Sequence, residues 1–161
     1  MEPIFPMLRS PSAPLKILVV DDEPNIRQSL CQALEIDGHQ IYEASDGALA
    51  VDLFTITHPD LVLLDIILPK KDGLYVLQEI RHLDNKVGVI VMSAMTPDRL
   101  MIRSTLCTAD SYLQKPFSVK LLYMHIQLVM SKARLRYPKA DYQKLLVNGF
   151  HHGHDNATLR G

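Results

Sequence analysis

Short apolar runs alternate along the chain with longer segments in which apolar residues recur every three or four positions. An apolar run of four to six residues fits a strand that is covered by helices on both faces, and the longer spacing fits an amphipathic helix. The predicted strands are 15–20, about 39–44, 61–64, 87–92 and 111–113, and the predicted helices begin near Pro24, Gly47, Leu74, Thr96-Pro97 and Ser118. The pattern therefore predicts five βα units.

Each predicted strand is followed by a helix rather than by a two-residue turn, which favours parallel pairing through right-handed crossovers. We therefore expect an α/β fold of the flavodoxin-like (βα)5 type: a doubly wound, five-stranded parallel sheet of order 2-1-3-4-5. In such a sheet, strands 1 and 3 flank the topological switch point, where a crevice opens at the carboxyl ends of the strands.

Three segments are expected along the chain. Residues 1–14 contain four prolines and predict a flexible N-terminal arm. Residues 15–136 predict one folded domain, whose last helix runs to about Arg136 and is halted by Tyr137-Pro138. Residues 137–161 predict a tail that forms one short helix or is disordered.

Composition narrows the function classes. Apolar residues make up 47% of the chain and charged residues 22%, which is typical of a packed globular protein. Seventeen basic residues nearly balance eighteen acidic ones, and without a basic stripe we expect no direct nucleic-acid binding. The sequence has no long apolar run of the kind that would predict a membrane span or a signal peptide. Cys31 and Cys107 have no metal-ligand spacing and are expected to be reduced thiols, so a cytoplasmic location is expected.

Polar residues interrupt the apolar pattern where strands end. Asp21 and Asp22 follow strand 1, Asp65 follows strand 3, Ser93 follows strand 4, and Lys115 follows strand 5. Three carboxylates in one crevice repel one another unless a hard divalent cation, Mg²⁺ or Mn²⁺, neutralises them. Asp65 is then a candidate covalent nucleophile, with the Ser93 hydroxyl and the Lys115 ammonium suited to hold phosphoryl oxygens.

Each of these residues alone also has a structural explanation. An Asp pair after a strand is more often a helix cap, Ser93 fits the cap of the fourth helix, and Lys115 fits a solvated turn. It is the joint placement at four strand ends that favours a site. The histidine-rich stretch His151-His152-Gly153-His154 fits a metal site less well than a disordered terminus.

Several motifs resemble those of the bacterial response-regulator receiver domain, particularly of single-domain, chemotaxis-type regulators. The resemblance covers about residues 15–136, and it rests on Val19-Val20-Asp21-Asp22-Glu23, Leu63-Leu64-Asp65 with Pro69 and Gly73, Met92-Ser93-Ala94, and Tyr112-Leu113-Gln114-Lys115-Pro116-Phe117.

The resemblance implies specific roles. Asp65 would be the phosphoacceptor, Asp22 a direct Mg²⁺ ligand, Asp21 a ligand through water, and the Ile67 backbone carbonyl the third protein ligand. Ser93 and Tyr112 would form a switch pair that remodels the face made by the fourth helix, the fifth strand and the fifth helix.

The expected function is therefore a phosphorylation-dependent switch in a two-component phosphorelay, not an enzyme beyond its own phosphorylation and dephosphorylation. A sensor histidine kinase or phosphotransfer protein would donate the phosphoryl group, and an unknown protein would be the target. The alternative is a phosphorylation-independent interaction module with the same fold. A phosphohydrolase is less favoured, because Ile67 stands where such enzymes need a second acid.

The fifth helix carries more apolar residues than one buried face needs. Leu122, Ile126 and Val129 form one stripe, and a second stripe contains Leu121, Met124, Leu128 and Leu135. The second stripe predicts a surface that packs on the tail, on a partner protein or on a second copy of the chain. In winged-helix regulators charged residues pair across a dimer here, but Leu121 and His125 occupy such positions.

Overall fold

The computed structural model describes residues 14–70, 72–96 and 108–135. Within these ranges five strands form one parallel sheet of order β2-β1-β3-β4-β5. The strands are β1 (Lys16–Val20), β2 (Gln40–Ala44), β3 (Leu61–Asp65), β4 (Gly88–Ser93) and β5 (Ser111–Gln114), and the helices are α1 (Pro24–Ile36), α2 (Gly47–Thr57), α3 (Gly73–Leu83) and the C-terminal helix (Val119–Leu135). The predicted fold class and strand order are confirmed.

The core lies in two layers, one on each face of the sheet. Alternate residues of a strand enter opposite layers: Leu18 and Val20 pack with α2 and α3, whereas Ile17 and Val19 pack with α1 and the C-terminal helix. Residues of β3 and β4 are buried on both faces. This double coverage explains why the strands are continuous apolar runs.

Local sequence sets where the helices begin. The Asp46 carboxylate accepts hydrogen bonds from the first-turn N–H groups of α2, Asp72 caps α3, and Ser118 Oγ accepts from Leu121 N at 3.2 Å. Pro24 opens α1, where its missing N–H costs little. Ser118 thus caps the helix that the sequence predicts to begin near it.

Two strands extend further than the sequence pattern indicated. Asp65 and Ser93 were expected just after their strands, but each is the last residue of its strand. Asp65 pairs in register with Met92, because parallel hydrogen bonding continues one residue beyond the apolar run.

Polar side chains tie neighbouring strands together where the strands begin. His39 Nδ1 accepts from Leu15 N at 3.2 Å, Asp60 Oδ2 accepts from Lys16 N at 2.9 Å, and Asp110 Oδ2 accepts from Val89 N at 2.7 Å. The carboxylate cluster lies at the opposite end of the sheet, where the strands end.

Several predicted features lie outside the described residues. They are the N-terminal arm, the body of the fourth helix, Cys107, the side chain of Leu135, the tail and its histidine-rich stretch. Cys31 is buried in the core, and burial is the main cause that raises the pKa of its thiol to about 12. Among the described residues no helix is long and apolar enough to cross a bilayer.

Candidate functional site

Three carboxylates meet at the carboxyl ends of β1 and β3. Oxygen atoms of Asp21, Asp22 and Asp65 all lie within 4.8 Å of one another. Asp21 and Asp65 are buried, whereas Asp22 is exposed. The neighbouring central strands β1 and β3 bring these side chains together, as the switch-point argument predicts.

Lys115 joins the cluster from the far edge of the sheet. Its Nζ donates to Asp21 Oδ2 and to Asp65 Oδ2, each at 2.6 Å, and only 14% of its side chain is exposed. The peptide bond between Lys115 and Pro116 is cis. One ammonium therefore bridges the carboxylates of two strands.

The remaining carboxylate oxygens are held by backbone N–H groups. Asp21 Oδ1 accepts from Glu23 N, and Asp65 Oδ1 accepts from Ile67 N, both at 2.9 Å. The Asp21 carbonyl oxygen accepts from Arg27 Nη1 at 2.7 Å. These bonds fix the orientation of both buried carboxylates.

The electrostatics of the site follow from burial and charge. Burial raises the pKa of the Asp65 carboxyl, although hydrogen bonds from Lys115 and from Ile67 N–H oppose that shift. Burial alone would lower the pKa of Lys115, but its bonds to Asp21 and Asp65 outweigh burial and raise it. Lys115 is therefore a cation throughout the neutral range, and it faces more negative charge than it can neutralise.

Ser93 ends β4, and Tyr112 lies within the neighbouring strand β5. Ser93 is fully buried, and its Oγ accepts from Met95 N at 3.1 Å. The half-buried Tyr112 hydroxyl donates to the Met95 carbonyl oxygen and lies 3.4 Å from the Ser93 carbonyl oxygen. The two predicted switch residues thus share one contact residue, Met95.

Ile67 and the C-terminal helix complete the predicted set. The Ile67 side chain is exposed and its N–H contacts Asp65. Leu122, Ile126 and Val129 are buried, while Leu121, Met124 and Leu128 are 39%, 51% and 50% exposed. The helix has the two apolar stripes that its spacing indicates, and the second one faces outward in the described part of the chain.

Two residues that the sequence argument did not assign also shape the site. Gly73 packs against the Asp65 carbonyl, and Arg27 holds the Asp21 carbonyl. The Asp-Xaa-Xaa-Xaa-Pro pattern leading to Gly73 was the available signal for the glycine. Arg27 had none, because its contact depends on how α1 packs beside β1.

Comparison with known proteins identifies the class. Residues 17–127 match the family model of the response regulator receiver domain. The chain therefore belongs to the response regulator receiver domain family of two-component systems, and the resemblance read from its motifs is confirmed.

The sequence relatives are longer proteins. Regulatory protein AtoC of Escherichia coli is 32% identical over 139 residues, which are 86% of this chain and 30% of AtoC. The probable transcriptional regulator ycf27 of Guillardia theta is 42% identical over 117 residues, which are 73% of this chain and 46% of ycf27. The chain thus spans about half, or less, of the length of these relatives.

Solved receiver structures superpose on most of the chain. Response regulator TrrA of Thermotoga maritima, solved in complex with Mg²⁺-BeF, has a TM-score of 0.66 and 35% identity and covers 71% of this chain and 97% of its own. A CheY-like receiver domain of Methanospirillum hungatei has a TM-score of 0.72 at 24% identity, covers 78% of this chain and 100% of its own, and supports the fold alone.

Proposed function

We propose that the chain is a phosphorylation-dependent switch in which Asp65 accepts a phosphoryl group from a histidine kinase or a phosphotransfer protein. The observation that carries this proposal is the Lys115 ammonium at 2.6 Å from both Asp65 Oδ2 and Asp21 Oδ2. A partly buried lysine between two carboxylates is placed to hold a third anionic group as it arrives.

The carboxylate cluster suits Mg²⁺, with Mn²⁺ as the alternative. Three carboxylates within 4.8 Å provide hard oxygen ligands and an excess of negative charge, which one lysine does not balance. We assign direct ligation to Asp22 and Asp65, ligation through water to Asp21, and a third protein ligand to the Ile67 carbonyl. When bound, the cation would neutralise charge on the transferring phosphoryl group. The Mg²⁺-BeF complex of TrrA supports this assignment by similarity.

Transfer is a displacement at phosphorus. An oxygen of Asp65 forms a bond to phosphorus while the bond between phosphorus and the donor nitrogen or oxygen breaks, and the donor leaves with that electron pair. Lys115 stabilises charge on the phosphoryl oxygens, and the Ser93 hydroxyl can donate to one of them. Hydrolysis of the resulting acyl phosphate returns Asp65 to the carboxylate and releases phosphate.

The switch would be transmitted through Ser93 and Tyr112. In the structure the Ser93 hydroxyl accepts from Met95 N, and the Tyr112 hydroxyl donates to the Met95 carbonyl. A Ser93 hydroxyl that turns toward a phosphoryl group gives up its bond to Met95, and the Tyr112 ring then moves with that segment. We propose that the changed surface includes the outward stripe of the C-terminal helix, which binds a downstream protein or a second copy of the chain.

Intact mass spectrometry after incubation with a small acyl-phosphate donor and Mg²⁺ tests the proposal. We expect the mass of one added phosphoryl group in the wild type, and none in Asp65→Asn or when a chelator is present. Asp60→Asn is the matched control, because Asp60 lies just before the strand that ends in Asp65. No added mass in a folded wild type would favour a phosphorylation-independent interaction module instead.

A further inference from the structure

A second polar cluster lies where the strands begin, away from the carboxylates. Arg81 at the end of α3 donates from Nε to the Thr108 carbonyl oxygen at 2.7 Å, from Nη1 to the Val87 carbonyl oxygen at 2.7 Å, and from Nη2 to Asp110 Oδ2 at 2.8 Å. The Arg81 and Asp110 side chains are each 13% exposed. One guanidinium thus ties α3 to the segments that lead into β4 and β5.

Asp110 also joins the two strands directly. Its Oδ2 accepts from Val89 N at 2.7 Å, and its own N–H donates to the Val89 carbonyl oxygen at 2.9 Å. The carboxylate is therefore held by the backbone of β4 and by the Arg81 cation together. A charge-assisted bond of this kind is stronger and more directional than a neutral one.

β5 needs such an anchor more than the other strands of the site do. It has four residues and, among the described strands, it lies at the edge of the sheet and pairs only with β4. It contains Tyr112 and leads directly to Lys115, whose backbone N–H donates to the Ser93 carbonyl oxygen at 2.7 Å. β1 and β3, which provide the carboxylates, each have a partner on both sides.

We propose that Arg81 and Asp110 are positioning residues that hold β5 in register on β4 and thereby place the Lys115 ammonium on Asp65. This proposal rests on the phosphoryl transfer proposed above. Neither residue belongs to the carboxylate cluster, so both act through the backbone of β5. Because a displacement of about 1 Å at a reacting group can slow a reaction roughly a hundredfold, a loosened β5 slows transfer even though every site residue is present.

The first test compares phosphorylation rates. Arg81→Gln and Asp110→Asn should each lower the rate of phosphorylation by a small acyl-phosphate donor roughly tenfold. The Mg²⁺ concentration that gives half the maximal rate should not rise, because the carboxylates lie on β1 and β3. A general loosening of the domain would instead lower the rate and also raise the Mg²⁺ concentration needed for half the maximal rate.

His39→Gln is the matched control. His39 anchors the opposite edge strand, β2, through the Leu15 N–H, and β2 carries none of the proposed site residues. We expect this variant to melt at a lower temperature than the wild type but to be phosphorylated at the wild-type rate.

Amide hydrogen exchange provides a readout that does not depend on phosphorylation. In Arg81→Gln and Asp110→Asn, the amides of β5 and of Lys115 should exchange faster, while those of β1 and β3 keep their protection. Arg81→Lys keeps the positive charge but cannot donate to all three acceptors. It is the substitute test variant if Arg81→Gln does not fold.

The outcomes separate the two proposals. Slower phosphorylation, unchanged Mg²⁺ dependence and faster exchange confined to β5 would support the positioning role. Wild-type rates in folded Arg81 and Asp110 variants would overturn it, as would unchanged exchange of β5. If the wild type takes no phosphoryl group but the variants show faster exchange of the β5 amides, the phosphorylation switch is refuted. The role of Arg81 and Asp110 as an anchor of β5 then still holds.

Discussion

Gly73, the first residue of α3, packs directly against the backbone of Asp65. A Cβ added at Gly73 would overlap the Asp65 carbonyl oxygen and would lie 2.6 Å from the Ile66 Cα. The Gly73 N–H also donates to the Ile66 carbonyl oxygen at 2.9 Å. The loop that follows the proposed phosphoacceptor therefore closes on itself at a point where no side chain fits.

Gly73→Ala is predicted to displace Asp65. Because the contact is with backbone, the strain cannot be relieved by a rotamer change, and we expect a loss of about 1–3 kcal/mol in the free energy of unfolding. Phosphorylation should also slow, since the Asp65 carboxylate moves with its backbone. Urea denaturation and the initial phosphorylation rate measure the two effects.

Gly38→Ala separates backbone strain from displacement of the site. Gly38 has a φ of +86°, and no atom of the described residues lies within 4 Å of an added Cβ. The Gly38→Ala variant should lose about 1–2 kcal/mol of stability, because alanine is strained in a left-handed conformation. It should keep the wild-type phosphorylation rate. Equal rates in both glycine variants would contradict the prediction for Gly73.

Lys115→Met is predicted to make the stability of the domain depend more strongly on Mg²⁺ than that of the wild type does. It leaves the buried carboxylates of Asp21 and Asp65 without their shared cation, and breaking a buried ion pair from one side costs about 3–5 kcal/mol. A divalent cation at the same carboxylates should restore part of that loss. Melting temperatures with chelator and with Mg²⁺ measure the difference.

Lys70→Met is the control for Lys115→Met. Lys70 also pairs with an aspartate, Asp46, at 3.1 Å, but 72% of its side chain is exposed. Exposed pairs of this kind contribute little to stability, so its melting temperature should be near that of the wild type under both conditions. If neither variant gained melting temperature from Mg²⁺, the three carboxylates would not form the cation site proposed here.

Acid sensitivity is predicted at His39. Its Nδ1 accepts a hydrogen bond from Leu15 N, so this ring nitrogen must be unprotonated. Burial lowers the pKa of His39, and the Asp37 carboxylate opposes this only in part. The charged form is therefore disfavoured in the folded state, and the contribution of His39 to stability is present above its ordinary pKa of about 6.5 and is lost as pH falls.

Urea midpoints at pH 7.5 and pH 5.5 test this prediction, with His39→Gln as the non-titrating comparison. The wild type should lose more stability than His39→Gln over this interval. An equal loss in both proteins would assign the pH dependence to other groups.

The strand ends were readable from the sequence because apolar runs stop there. Asp21, Asp65, Ser93 and Lys115 interrupt the runs, and parallel topology brings their positions to one edge. The Arg81–Asp110 pair was not readable, since its partners are 29 residues apart and meet only through the docking of α3 beside the start of β5. Sequence periodicity shows which face of a helix is buried but not what its last polar residue will contact.

The outward stripe of the C-terminal helix makes a last prediction. Leu121, Met124 and Leu128 are each more than a third exposed, and they lie beside the buried stripe that holds the helix on β4 and β5. Leu121→Asp combined with Leu128→Asp should weaken self-association or partner binding, because it places charge in an apolar contact. Phosphorylation should be unchanged, since neither residue contributes to the carboxylate site.

Sedimentation of the protein with and without Mg²⁺ and beryllium fluoride measures self-association in both states, and capture of a partner is scored separately. Ile56→Asp is the matched control, because Ile56 is 75% exposed at the end of α2, on a different helix. If the Leu121 and Leu128 variant and the Ile56 variant associate equally with wild type in both states, the outward stripe has no role in association. A selective loss in the double variant would instead show that the outward stripe of the C-terminal helix forms the contact.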